Sequence, residues 1–210
     1  YTLGSVNLGG YGTVTYRDGD SVMGFGHPMD WVGRTDLFAT NVWISGIWGS
    51  SQVAYKIGCP GQIQGALTQD RSAGVGVDTL ATTATTSVTS QMSVTTDKTR
   101  TGSSATQIAA GTFQAHLGDL ASAIAVSEPL YRLANQSALA GSARTTTTVT
   151  VSDGSQTYTI ARPNIWSSPD VLGDSATDTY MILSALFGTS GIVPTVQSVD
   201  LSADIDQNNR

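Results

Sequence analysis

The sequence predicts a mainly β, α+β fold on three observations. Strand-forming residues alternate with small polar ones over most of the chain, most regularly in Arg144–Ser152 and Gln156–Arg162. Turn signals at Arg17-Asp18-Gly19-Asp20 and Asp153-Gly154 sit between such runs at hairpin spacing. The apolar period lengthens to helical spacing in two stretches only, about 117–140 and 170–187.

Taken in order, Tyr11–Tyr16 and Ser21–Phe25 read as a hairpin that delivers His27 into a bend lined by Gly24 and Gly26. Pro28 holds the histidine backbone extended and ends the strand. Asp30 and Asp36 follow in a loop. Leu37–Trp48 reads as one or two buried strands broken at Ser45-Gly46, and Gln52–Ile57 as another. Gly58-Cys59-Pro60-Gly61 is turn chemistry, with Cys59 a small buried thiol, and Gln62–Thr68 is again strand. Asp70 and Arg71 then point to opposite faces. Residues 79–112 give two threonine-rich strands around a polar hairpin, each with one wet face.

In 117–140 the leucines fall near helical spacing, with a kink or break at Pro129. His116, just ahead, suits a surface or capping role. After the hairpin at Asp153-Gly154, Pro163 is expected to end the strand. Ser168 would then cap a helix whose first residue is Pro169 and which Gly188 stops. A last strand covers Val193–Ile205.

Composition limits function. Charged residues make up 12 % of the 210 residues and the net charge is −6, so no basic face exists to track phosphates, and nucleic acid is set aside. With Cys59 the only cysteine, neither an internal disulfide nor a thiolate metal cluster fits, and no metal or organic cofactor is expected. No apolar run approaches the ~18 residues of a membrane span. The abundance of Thr, Ser, Gly and Ala suits an exported protein. One domain is expected over 1–210, with a histidine-motif β segment at 1–76 and strands plus two helical segments at 77–210. The opening at Tyr1, inside a strand-like run, is read as the start of a fragment whose precursor extends further.

Several motifs occur together: Gly12-Thr-Val-Thr-Tyr16, Gly24-Phe-Gly-His-Pro28, Lys56-Ile-Gly-Cys-Pro-Gly61, and Gly65-Ala-Leu-Thr-Gln-Asp-Arg71 with Gly74. In combination they resemble the stage IV sporulation protein B peptidase family, over about residues 10–76. The resemblance implies a chymotrypsin-like β-barrel or sandwich, a bacterial extracytoplasmic location, and serine endopeptidase chemistry. His27 stands at the position of the family's catalytic histidine, the general base. The family's serine motif, Gly-x-Ser-Gly-Ser-Pro, is absent. Gly188-Thr-Ser-Gly191 and Ser167-Ser168-Pro169 match only parts of it, so the nucleophile is expected from outside this chain.

Asp30 and Asp36 are the candidates to orient the imidazole, with a plain loop role as the alternative for both. Arg71 is either an anchor for loop groups or a contact for a substrate carboxylate. The implied partner is a protein or peptide substrate, including the chain's own precursor or a preceding segment. Two other readings stand beside this one. The first is a peptidase-derived module without chemistry that serves binding or structure. The second is a carbohydrate-binding surface built on Trp31, Trp43, Trp48 and Trp166, although core packing of most of those rings is the expected outcome.

Overall fold

The computed structural model describes residues 1–112, 120, 124, 140–188 and 194–208. The protein is mainly β. Its described strands are β1 (Thr2–Gly4), β2 (Val14–Asp18), β3 (Ser21–Gly24), β4 (Gly33–Trp48), β5 (Tyr55–Arg71), β6 (Gly74–Asp78), β7 (Thr85–Thr95), β8 (Thr99–Ala109), β9 (Gly141–Ser152), β10 (Thr157–Ser168) and β11 (Thr195–Asp206). The helix α1 (Val171–Phe187) lies between β10 and β11. Of the stretch 117–140, Leu120 and Ile124 are helical and Ala140 leads into β9; the others, with Glu128 and Pro129, lie outside the described residues, as do His116 and Ser190.

Contacts divide the chain into two compact units. The first holds Tyr1–Thr2, Asn7–Ala84 and Ala109–Thr112, and the second Leu3–Val6, Thr85–Ile108 and Phe113–Arg210. The break after residue 76 drawn from the sequence falls inside β6.

The second unit is organised by a six-stranded mixed sheet in the order β1-β8-β7-β11-β9-β10. β7 and β9 alternate along their length, and β11 does so from Val199 on. Val88, Met92 and Val94 on β7, Val149 and Val151 on β9, and Val199, Leu201, Ala203 and Ile205 on β11 are buried, while the intervening Thr, Ser and Asp residues face water. α1 covers the apolar face, where Leu183 and Ile182 pack with Val88, Val149 and Val199, and Val171 with Met92 and Ala203. Burying a leucine such as Leu183 completely is worth roughly 1.5–3 kcal/mol. Hydroxyls caught in this interior find partners: Thr86 Oγ1 donates to the Val196 carbonyl at 2.6 Å, and the Ser90 and Ser104 hydroxyls pair at 2.6 Å.

Two expectations fail here for identifiable reasons. β10 runs through Pro163 to Ser168, because β10 is the edge of its sheet and a residue without an N–H costs no ladder bond on the open side. The helix starts later than Ser168-Pro169 suggests. Asp170 is its N-cap, with Oδ1 accepting the Gly173 N–H at 3.0 Å, and Ser168 Oγ instead accepts the Asp170 N–H. Gly188 ends it as expected, its N–H reaching the Ser184 carbonyl at 2.9 Å. Arg162 on β10 reaches over to Asp178 on α1 at 3.0 Å.

The first unit is built on a five-stranded sheet, order β2-β3-β6-β5-β4. The β2–β3 hairpin forms as read, around Gly19-Asp20. Its core is small: Leu37, Leu67, Val75 and Ala109, with Tyr1, Phe25, Met29, Phe38 and Val77 against it. β6 covers only Ala66–Arg71 of β5, so among the described strands the rest of β5 pairs with β4 alone, in a two-stranded ribbon whose Gly58 carbonyl accepts the Tyr11 hydroxyl and whose Lys56 Nζ donates to Thr13 Oγ1.

That ribbon corrects four expectations. Leu37–Trp48 is one strand, with its register shifted at the expected break between Ile44 and Gly46, but its outer half is exposed rather than buried. Gly58–Gly61 lies inside β5 rather than in a turn, and Pro60 is tolerated because that half of β5 has a free side. Cys59 is exposed, not buried. Trp43 is 77 % and Trp48 66 % exposed, as is Trp31 at 72 %; only Trp166 packs against a core.

Candidate functional site

His27 follows a backbone bend that few sequences can make. Phe25 has φ 69° and Gly26 φ 74°, consecutive left-handed residues, and the first is costly for a bulky side chain. Packing holds it there. The Phe25 ring lies so close over Gly12 that a β-carbon at Gly12 would stand 2.2 Å from it, and the Phe25 N–H donates to the Thr13 carbonyl at 3.0 Å. The glycine at 12 is therefore required by the ring, and the ring steers the histidine. Phe25 and His27 meet edge to face, with centroids 5.7 Å apart and planes at 85°.

The imidazole is exposed, and its Nδ1 lies 2.7 Å from the Pro28 carbonyl oxygen. A carbonyl only accepts, so in the neutral ring Nδ1 carries the hydrogen and Nε2 keeps its lone pair. A backbone carbonyl thus fixes the tautomer that a general base needs.

The loop after Pro28 is tied down by a residue the sequence reading left without a role. Asp70, 2 % exposed, accepts the N–H of Met29 at 2.8 Å on Oδ1 and those of Asp30 at 2.7 Å and Val32 at 3.5 Å on Oδ2. Burial alone would raise its carboxyl. The backbone N–H groups of Asp30, Met29, Val32 and Trp31 outweigh that and hold it below the ordinary aspartate range. Trp31 at φ 60° and Gly33 at φ 77° complete the concave run of N–H groups. Asp70 sits on β5 opposite Gly33 on β4 and Val75 on β6, so a central strand anchors the loop. The signal for it was the Asp70-Arg71 pair ending a strand: an aspartate on the inward side needs donors.

The other candidates are engaged separately. Asp30 Oδ2 accepts the Tyr1 hydroxyl at 2.5 Å; burial and then this bond push the Tyr1 phenol well above its usual range. Asp36 Oδ2 accepts the Ala84 N–H at 3.3 Å, and its carbonyl accepts that of Gly111 at 2.7 Å. Arg71 is exposed, with Nε on Gln69 Oε1 at 2.8 Å. Among the described residues none of the three hydrogen-bonds His27, and neither does a serine or threonine hydroxyl. An open trough of about 610 Å³ lies in the second unit, lined by residues including Ser93, Arg144 and Asp204 but by none of these candidates. Among the described residues no three His, Cys, Asp or Glu side chains group as metal ligands, and no helix is long and apolar enough to cross a membrane.

No family model, curated protein or solved structure matches the chain.

Proposed function

We propose that this chain is the histidine-bearing part of an exported serine endopeptidase of the stage IV sporulation protein B type, with His27 as general base. One observation carries the reading. The imidazole is exposed, its Nδ1 is committed to the Pro28 carbonyl, and Nε2 is left with a lone pair to take a hydroxyl proton. In acyl transfer, Nε2 would remove the proton from a serine Oγ as that oxygen attacks the scissile carbonyl, and return it to the leaving amine. The serine comes from polypeptide outside these 210 residues. The carbonyl of Pro28 takes the orienting role first assigned to Asp30 or Asp36, and Asp70 holds the loop that presents it.

The test is labelling of the full-length precursor with a serine-directed fluorophosphonate beside its His27→Ala variant. Labelling that disappears in the variant supports the reading, and labelling absent from both refutes it when circular dichroism shows both folded. The 210-residue chain alone is expected to cleave nothing. A second reading, a peptidase-derived module that binds without chemistry, draws on the exposed apolar ribbon of β4 and β5.

A further inference from the structure

Among the described residues the outer edge of β4 has no strand beside it, since β4 ends its sheet. Its first residues are covered: Gly111 donates to the Asp36 carbonyl and Thr83 Oγ1 to that of Leu37. From Phe38 to Trp48 the edge carries neither a charged residue nor a proline, two of the devices that block strand addition; its β-bulges leave Val42–Ile44 and Gly46–Trp48 as the regular stretches. Large apolar side chains stand exposed on both faces of this stretch. A β-bulge between Ile44 and Gly46 shifts the alternation, so Trp43 and Trp48 lie on one face, and Ile44 and Ile47 on the other.

This two-sidedness decides the kind of partner. A protein lying on one face would leave the other face wet. A bilayer would reach both faces but strand the unpaired N–H and C=O groups of the edge, which hydrocarbon cannot satisfy. A strand added edge-on satisfies the backbone and brings its own side chains beside those of both faces.

We infer that the partner is a second copy of this chain, paired antiparallel through β4 on a two-fold axis. The edge is its own complement: two uncharged apolar strands meet without like charges opposed, and an antiparallel pair is two-fold by construction. Over the whole span 37–69 there is no acidic residue, and Lys56 is the only charge, in a chain of net charge −6. At ~150–250 Å² per large aromatic side chain, Trp43, Trp48, Ile44 and Ile47 together expose on the order of 400 Å². With the backbone edge added, this remains at or below the ~800 Å² per partner of a standard interface, so the pair should dissociate in the micromolar range.

Sedimentation velocity over about 1–100 µM, on the Cys59→Ser chain so that no disulfide contributes, tests this. The expected result is a reversible monomer–dimer equilibrium. Trp43→Lys and Ile47→Lys, one on each face, should each raise the dissociation constant at least about tenfold, with circular dichroism and melting unchanged. A chain monomeric up to 100 µM would overturn the inference, as would a dimer indifferent to both lysines. A dimer seen only when Cys59 is present would also overturn it.

Discussion

The paired strands β9 and β11 and the paired strands β4 and β5 are both long antiparallel pairs, and they treat water in opposite ways. Along β9, threonines alternate with Ala143, Val149 and Val151, and each apolar side chain is buried beneath α1 or a neighbour. Along the β4–β5 ribbon the side chains are larger and more apolar, yet Trp43, Ile47, Trp48 and Tyr55 stand in solvent. Strand hydrophobicity alone therefore does not report burial. What decides it is a second layer: α1 lies over β9 and β10 and shares a core cluster with Val149 and Val199, whereas the ribbon has run beyond the reach of β6 and, among the described residues, is met by side-chain bonds with Tyr11 and Thr13 but by no covering layer.

Substitutions sharpen this contrast, and the largest effect belongs to the covered sheet. Leu183→Ala should destabilise the second unit by roughly 2–5 kcal/mol in denaturant unfolding, because the site is sealed between α1 and three strands. In the first unit the comparable position is polar. Asp70→Ala should cost roughly 2–4 kcal/mol, since it orphans several buried N–H donors at once.

The sign of the pH dependence follows from the depressed carboxyl of Asp70. Its folded pKa lies below the unfolded one, so its contribution is fully present above the unfolded value and is lost as pH falls through the folded value. Thermal melts of the first unit should therefore fall on acidification through the carboxylate range, and Asp70→Asn should flatten that fall. Asp170→Ala, which removes the cap of α1, should cost about 1 kcal/mol. At the small end, Trp43→Ser should change monomer stability by less than about 0.5 kcal/mol. A cost near that of Leu183→Ala would show the ribbon to be covered, and the comparison would fail.

The same contrast explains what was legible in the sequence. The β2–β3 and β9–β10 hairpins, the threonine-rich strands β7 and β8, the helix stop at Gly188 and the mainly β class follow from local rules of alternation and turn chemistry. Edge positions do not: Pro60 and Pro163 read as breaks because the sequence does not tell which strands end a sheet. Burial of Trp43 and Trp48 was misread for the matching reason, that no window of sequence shows whether a second layer exists. At the site, Gly24, Gly26 and His27 announced a bend, but the left-handed Phe25 and its seat on Gly12 come from contacts between separate segments. Asp70 escaped notice because its donors are backbone groups some forty positions earlier.

The account turns on which ring nitrogen of His27 holds the hydrogen. Nitrogen-15 NMR of the imidazole, at a pH high enough that the ring is neutral, reads this directly. Protonated Nδ1 with a bare Nε2 is the expected result, retained in Asp36→Asn and Asp30→Asn because Pro28 supplies the acceptor. Hydrogen found on Nε2 instead would leave no free base facing a serine, and would contradict the account.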